Sequence, residues 1–251
     1  MTQHFFIGGA QRSGTTYAYH LCADHPEIEM ALPVRPEPKF YLNPKLYSQG
    51  YAYYRSTYFG KKPGARLYGE KSTSYIEVAS AAKAMAEQIP DAKIVFVLRN
   101  PIERAISNYR FSLFHGVENV SMEEAFRREA ERVEQFDHQK YSVSPYAYLR
   151  RGRYIEYIEM WEQFFRPEQI HILIYEQMVS ADAPVRGLYA FLGVDTEYRA
   201  PTRGEIINAN SEDAGEELSV ALRTELQAHY APYTARLRAH TGLAIPEWDV
   251  A

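Results

Sequence analysis

The glycine-containing segment at residues 9–16, Gly-Ala-Gln-Arg-Ser-Gly-Thr-Thr, constrains the fold of this chain more than any other feature. A short apolar run at residues 4–8 precedes it, and apolar side chains at helical spacing follow it as far as Pro26. An apolar run that stops at two glycines is typical of a buried strand that ends in a tight turn. Residues 9–14 are therefore predicted to form the loop between a strand and a helix.

Strands and helices are predicted to alternate along the rest of the chain. Extended segments are expected at residues 66–69, 93–98 and 170–174, and helices at 76–89, 101–114, 122–136, 146–165, 184–192 and 215–240. Asn100 can cap a helix that begins at Pro101, and Gly193 and Gly242 can each end one. This alternation predicts an α/β, P-loop-containing three-layer fold, in which helices flank a central parallel sheet.

The size and composition are those of an ordinary globular protein. The chain has 251 residues, of which 46% are hydrophobic, and no repeat or Ser/Gly-rich linker, so a single domain over residues 1–251 is predicted. A net charge of −4 argues against nucleic acid or an anionic membrane as a partner. Neither a signal peptide nor a membrane span is apparent, and Cys22 is the single cysteine, so a cytoplasmic location is expected.

The loop at residues 9–14 is suited to holding an anion. Backbone N–H groups at a helix start have no partner within the helix, and the helix dipole adds positive potential there. An ATP-binding loop of this spacing carries lysine after its second glycine, followed by a magnesium-binding Ser or Thr. Here that position is Thr15, followed by Thr16, and the cation is Arg12 in the middle of the loop. The loop therefore predicts a phosphate site that differs from that of an ATP-binding protein.

A second cation, Arg99, follows the apolar segment at residues 93–98. In P-loop nucleotidases a later strand ends instead in an aspartate that organises magnesium. A guanidinium can bind a phosphate through two parallel hydrogen bonds, and Ser107, two turns into the next predicted helix, can add a hydroxyl donor. A surface ion pair is the alternative for Arg99, although the end of an apolar strand is a costly place for one. A second phosphate and no metal ion are therefore predicted.

These two segments make the chain resemble sulfotransferases that use 3′-phosphoadenosine 5′-phosphosulfate (PAPS), of the heparan-sulfate-type and related bacterial group. Residues 11–16 resemble the 5′-phosphosulfate loop of that family, and residues 98–107 resemble its 3′-phosphate segment. Glu-Pro-Lys-Phe-Tyr at 37–41, within a proline-rich loop, is similar to the element that carries the family's catalytic base. Gly-Glu-Lys-Ser at 69–72 is similar to its strand end, where the lysine lies near the transferred group.

The resemblance implies a role for each matched residue. Nucleotide binding is implied for Arg12, Ser13, Gly14, Thr15, Thr16, Arg99 and Ser107. Glu37 is implied as the general base that also contacts the acceptor, while Arg12 and Lys71 stabilise charge that develops during transfer. Lys39 is expected either to orient Glu37 and the acceptor or to be an exposed lysine. A solvated loop carboxylate is the corresponding alternative for Glu37.

The implied reaction is metal-free transfer of a sulfuryl group from PAPS to a hydroxyl of a small-molecule or carbohydrate acceptor, which leaves 3′-phosphoadenosine 5′-phosphate. A P-loop small-molecule kinase and a nucleotide-binding protein without chemistry remain the alternatives. None of the eight histidines lies in a recognisable base motif, so a sugar or aliphatic alcohol is favoured over a phenol.

Two further segments bear on this resemblance. Gly-Arg-Tyr at residues 152–154, with Trp161 after it, is similar to a helix start that recurs in bacterial members. The family's late Lys-Gly-Arg cofactor loop has no clean match, and Arg203-Gly204 and residues 208–211 are the candidates.

Overall fold

The structure is a computed structural model that describes residues 3–204 and 217–249. These residues form two compact units, one of residues 3–98 and 159–204 and one of residues 99–158 and 217–249. The strands are β1 Gln3–Gly9, β2 Ile28–Met30, β3 Leu67–Lys71, β4 Lys93–Leu98 and β5 Ile170–Ile174. The helices are α1 Thr15–Asp24, α2 Pro44–Tyr47, α3 Gly50–Tyr58, α4 Ala79–Gln88, α5 Pro101–Phe114, α6 Met122–Arg127, α7 Glu129–Arg132, α8 Tyr154–Trp161, α9 Tyr175–Ser180, α10 Asp182–Leu192 and α11 Val220–Thr241.

The first unit contains a five-stranded sheet in the order β2-β3-β1-β4-β5, in which every neighbouring pair is parallel. In the register, Ile7 of β1 lies beside Lys71 of β3, and Gly9 lies beside Phe96 of β4. The carboxyl ends of these three central strands therefore lie along one edge of the sheet. The predicted α/β fold, a central parallel sheet flanked by helices, is confirmed.

Strand β4 is a continuous apolar run after Lys93 because both faces of the sheet are covered. Val95 and Val97 belong to the core that one face forms with α1 and α10. Phe96, which points the opposite way because successive strand residues alternate, has its ring 5.3 Å from that of Trp161. Each such fully buried apolar side chain contributes about 1.5–3 kcal/mol to the free energy of folding.

The second unit is built around α5. Asn100 caps this helix by accepting hydrogen bonds from the N–H groups of Ile102 and Glu103, which confirms the predicted start at Pro101. The core of this unit includes Tyr109 of α5 and Leu226 of α11. Helix α11 ends at Gly242 as predicted, but the predicted start at residue 215 lies outside the described residues.

Two predicted helices are shorter than expected. The pattern at 122–136 divides into α6 and α7, and the pattern at 146–165 yields an α-helix only from Tyr154. Glu129 is buried, and its carboxylate accepts hydrogen bonds from the backbone N–H groups of Leu149 and Arg150. The second of these helices therefore begins later than predicted, because the N–H of Arg150 bonds to Glu129 and not within a helix that starts at residue 146.

Within the described ranges, no helix is both long and apolar enough to cross a lipid bilayer. The same ranges contain no group of three or more His, Cys, Asp or Glu side chains arranged to hold a metal ion.

Candidate active site

The predicted phosphate loop lies between β1 and α1, at residues 10–14. Gly14 is the N-cap of α1 and has a φ of 81°, a backbone conformation that residues other than glycine seldom adopt. A Cβ atom on Gly14 would lie 2.3 Å from Cδ2 of Tyr175, so the tyrosine ring packs directly on this glycine. Because Gly14 has no side chain with which to cap α1, the N–H groups of the first turn are left for another acceptor.

Two sets of hydrogen bonds fix the loop. The N–H of Ala10 donates to the carbonyl oxygen of Val97 in β4 over 2.9 Å. The side-chain amide of Gln11 donates to Ser74 Oγ over 3.1 Å and to Glu77 Oε1 over 3.3 Å. The loop is thereby held on one side by the sheet and on the other by the turn that follows β3.

Ser13 provides the clearest sign that the loop fits an anion. Its side chain is fully buried, and its Oγ has no hydrogen-bond partner among residues 3–204 and 217–249. A buried hydroxyl without a partner costs about 1–3 kcal/mol, and a ligand oxygen in the loop would remove that cost. Thr15 is buried and Thr16 half-buried in the next turn. Arg12, within the loop, has a φ of 65°, in the left-handed region.

Glu37, the predicted base, is held by several donors. Lys71 Nζ lies 2.7 Å from its Oε1, and the backbone N–H of Thr73 donates to its Oε2 over 3.0 Å. The hydroxyl of Thr73 lies 3.1 Å from both carboxylate oxygens. The Glu37 side chain is 13% exposed and that of Lys71 is 4% exposed. Glu37 is therefore a largely buried and oriented carboxylate, not a solvated one.

The Glu37–Lys71 pair lies at the same edge of the sheet as the start of the phosphate loop. Lys71 is the last residue of β3 and lies beside Ile7, two residues before β1 ends at Gly9. The next N–H along the chain, that of Ser72, donates to the carbonyl oxygen of Ile7 over 3.2 Å. In open α/β sheets ligands bind outside the carboxyl ends of the strands, which is where these groups are.

Lys39 is half-buried, with a φ of 49°. Its backbone N–H donates to Ser72 Oγ over 2.9 Å, which attaches the loop that carries Glu37 to the end of β3. A role for the Lys39 ammonium group stays a prediction.

Arg99 and Ser107 belong to the second unit. Arg99 follows the last residue of β4, and Ser107 is buried in α5. The hydroxyl of Tyr154 donates to the carbonyl oxygen of Arg99 over 2.8 Å. A Cβ atom on Gly152 would lie 2.9 Å from Cβ of Pro101. The Gly-Arg-Tyr element at 152–154 therefore supports the Arg99 segment, a role that its sequence alone did not reveal.

Two segments, Arg203-Gly204 and residues 208–211, are the candidates for the family's late cofactor loop. The guanidinium of Arg203 donates to Asp182 Oδ1 over 2.8 Å, to the carbonyl oxygen of Met178 over 2.7 Å and to the hydroxyl of Tyr17 over 3.1 Å. The guanidinium of Arg203 is therefore held by hydrogen bonds to other residues of the chain. Residues 208–211 lie outside the described residues.

Sequence reasoning missed two groups at this site. Thr73 follows the matched Gly-Glu-Lys-Ser segment, and nothing in its position predicted a contact with a loop 36 residues earlier. Glu70 was quoted only as part of that segment. It directly follows the extended segment predicted at residues 66–69, and its side chain is fully buried.

The sheet and its glycine loop define a P-loop-type α/β protein. Residues 2–214 match the sulfotransferase domain family, and the chain belongs to that family. A crystal structure of a sulfotransferase from Alicyclobacillus acidocaldarius resembles it with a TM-score of 0.81 and 29% identity, over 99% of both chains. The resemblance predicted from the motifs is confirmed, and the kinase alternative is not favoured.

Two relatives with assigned names are also similar. The chain is 26% identical to the bifunctional heparan sulfate N-deacetylase/N-sulfotransferase 1 of Caenorhabditis briggsae, over 96% of this chain and 31% of that protein. It is 27% identical to the human heparan sulfate glucosamine 3-O-sulfotransferase 6, over 75% of this chain and 51% of that protein. The chain thus spans about a third to a half of the length of these relatives.

Proposed function

We propose that this chain transfers the sulfuryl group of PAPS to a hydroxyl group of a small-molecule or carbohydrate acceptor, without a metal ion. The observation that carries the proposal is the Glu37–Lys71 pair at the edge of the sheet where the phosphate loop begins. A carbohydrate acceptor is favoured because the names of two relatives refer to heparan sulfate. A cytoplasmic location and a single sulfotransferase domain over residues 1–251 stay predictions.

The nucleotide would be held at its two ends by different residues. Its 5′ end is assigned to Arg12, Ser13, Gly14, Thr15 and Thr16, and its 3′-phosphate to Arg99 and Ser107. The unpartnered Ser13 hydroxyl and the start of α1 support the first assignment. The donor supplies an activated sulfuryl group, whose transfer leaves 3′-phosphoadenosine 5′-phosphate.

Glu37 accepts the proton of the acceptor hydroxyl in this proposal. Lys71 and the two donors of Thr73 fix the direction of the carboxylate, which is what a general base requires. Arg12 and Lys71 stabilise the negative charge that appears on the leaving 5′-phosphate. Lys39, two residues after the base, orients Glu37 and the acceptor.

The test is an assay of 3′-phosphoadenosine 5′-phosphate released from PAPS, with N-acetylglucosamine, a glucosamine oligosaccharide and water as acceptors. Glu37→Gln should lower turnover by at least about a hundredfold, the range expected for a general base. Binding of 3′-phosphoadenosine 5′-phosphate, measured by calorimetry, should not change. Glu87→Gln is the matched control, because Glu87 is an exposed carboxylate on α4, and it should keep full turnover.

Three results would contradict the proposal in different ways. Undiminished turnover in Glu37→Gln would remove Glu37 from the mechanism. Turnover of ATP with Mg²⁺, and none of PAPS, would indicate a kinase. Tight binding of 3′-phosphoadenosine 5′-phosphate with no release of it from PAPS in any acceptor, water included, would indicate a binding protein.

A further inference from the structure

Glu70 is a fully buried carboxylate that cannot contact an acceptor. It lies in β3 immediately before Lys71, and its side chain has no exposed surface. Its Oε1 accepts a hydrogen bond from Ser72 Oγ over 2.6 Å and another from the hydroxyl of Tyr75 over 2.7 Å. Burial raises the pKa of Glu70, and the hydrogen bonds from Ser72 and Tyr75 act against that shift. Burying a carboxylate costs free energy, so the position of Glu70 in the interior needs an explanation.

Each of these hydroxyls also accepts a hydrogen bond from a backbone N–H of the segment that follows Glu37. The N–H of Lys39 donates to Ser72 Oγ over 2.9 Å, and the N–H of Tyr41 donates to the hydroxyl of Tyr75 over 3.2 Å. A hydroxyl has one proton to donate and lone pairs that accept. Because Glu70 takes both protons, the lone pairs of both hydroxyls are available to the two N–H groups. We call this set of four bonds the Glu70 relay.

The segment held by the Glu70 relay has a backbone conformation that needs support. Lys39 has a φ of 49°, in the left-handed region that residues other than glycine seldom adopt. Such a conformation persists only where the surrounding structure holds it. Lys39 is two residues after Glu37, so the relay acts directly on the part of the loop that sets where the Glu37 carboxylate lies.

We propose that Glu70 is a positioning residue that, through Ser72 and Tyr75, holds residues 39–41 and thereby places Glu37 against the acceptor. The inference rests on the proposed role of Glu37 as general base. Two sets of contacts therefore position Glu37. Lys71 and Thr73 bind its carboxylate directly, and the Glu70 relay holds the backbone of the segment that follows it.

The first test measures amide hydrogen exchange at Lys39 and Tyr41 in the full chain and does not depend on activity. Glu70→Met removes the acceptor of both hydroxyl protons and frees the two hydroxyls to turn away from the amides. Both amides should then exchange about five- to tenfold faster, the change expected if each loses its hydrogen bond. Glu70→Gln keeps an acceptor oxygen and should retain most of the protection. Tyr41→Phe is the matched control, since it removes a hydroxyl that donates to Gln88 Oε1 and leaves the Tyr41 N–H in place.

Ser72→Ala and Tyr75→Phe test the two arms of the relay separately and keep the inference testable if Glu70→Met does not fold. Ser72→Ala should speed exchange at Lys39 and leave Tyr41 protected, and Tyr75→Phe should do the reverse. Unchanged exchange at Lys39 in Ser72→Ala and at Tyr41 in Tyr75→Phe would overturn the inference.

The second test measures turnover of PAPS in single and double variants. Ser72→Ala should lower kcat by at least about tenfold, because a displacement of about 1 Å at a catalytic group can cost a hundredfold. In a Glu37→Gln background the same substitution should add less than about a twofold loss, since no base remains to be misplaced. An equal loss in both backgrounds would show a merely structural effect and overturn the inference. Full turnover in Glu37→Gln alone would instead remove the base assignment, and hydrogen exchange would still decide whether the relay exists.

Discussion

Lys71 Nζ lies 2.7 Å from Oε1 of Glu37, in a pair that joins the end of β3 to the loop after β2. Neither side chain is well solvated, so each charge depends on the other. Removing one partner of such a pair leaves a charge with little water and no counter-charge, whereas removing both avoids that cost.

Lys71→Met should therefore lower the free energy of unfolding by about 2 kcal/mol, less than for a fully buried pair because Glu37 keeps the donors of Thr73. The double variant Lys71→Met/Glu37→Gln should recover at least about 1 kcal/mol of that loss. Chemical denaturation measures both. Lys83→Met is the control, because Lys83 and Glu87 form an exposed pair 3.9 Å apart, and its effect should stay below about 0.5 kcal/mol. Additive effects of the Lys71 and Glu37 substitutions would show that the pair does not couple.

Gly14→Ala should weaken binding of 3′-phosphoadenosine 5′-phosphate by at least about tenfold and destabilise the fold by about 1–3 kcal/mol. The new Cβ would lie 2.3 Å from the Tyr175 ring, at a φ of 81°. Gly187→Ala is the matched control in α10, where a Cβ meets open space, and it should stabilise by about 0.5–1 kcal/mol. Calorimetry and thermal unfolding give the two readouts. Wild-type affinity in Gly14→Ala would exclude the loop from nucleotide binding.

Arg99→Ala should weaken binding of 3′-phosphoadenosine 5′-phosphate by about 1.5–3 kcal/mol, the value of a hydrogen bond to a charged group. Adenosine 5′-phosphosulfate lacks the 3′-phosphate, so its affinity should be the same for Arg99→Ala and the wild type. Arg12→Ala is assigned to the other end of the nucleotide and should weaken both ligands. Equal losses for the two ligands in Arg99→Ala would contradict the assignment of Arg99.

His171 in β5 predicts an acid-sensitive contribution to stability. Burial lowers its pKa to about 4, and its ring is stacked on that of Phe191 with centroids 4.9 Å apart. An unfolded histidine binds a proton near pH 6.5, so between pH 6.5 and 4 the unfolded chain binds more protons than the folded one. Stability should therefore fall over this range as the pH is lowered, by about 1–2 kcal/mol for this partly exposed ring.

His171→Phe removes the titrating group and keeps an aromatic ring beside Phe191. Free energies of unfolding at pH 6.5 and 4.5 should differ less in the variant than in the wild type. Above pH 7 the two curves should run parallel, because neither state of the wild type binds a proton at this residue. Parallel curves down to pH 4.5 would contradict the prediction.

Elements with strong local signals could be predicted from the sequence. Asn100 and Pro101 fixed the start of α5, and the glycine segment fixed the β1–α1 loop, since caps and turns depend on a few adjacent residues. Strand β2 was missed because three residues cannot display a period of two. The late start of α8 was missed because the N–H groups of Leu149 and Arg150 bond to Glu129, 20 and 21 positions away.

In the candidate site, too, residues within short motifs could be predicted and contacts between distant residues could not. Arg12, Glu37 and Lys71 were predicted from short motifs, but the bond between Glu37 and Lys71 joins residues 34 positions apart. The same holds for Tyr154 and Arg99, which are 55 positions apart. Such contacts arise from tertiary packing, and the order of residues in a loop does not specify them.

The alternation of side chains along β3 has a consequence for how this chain can vary. Glu70 and Lys71 are consecutive in an extended strand, so they leave it in opposite directions, one towards Tyr75 and the other towards Glu37. A single-residue insertion between Leu67 and Glu70 would exchange these directions and turn the ammonium group of Lys71 towards Tyr75. A change of length within residues 67–75 would therefore disturb the Glu37–Lys71 pair and the Glu70 relay together.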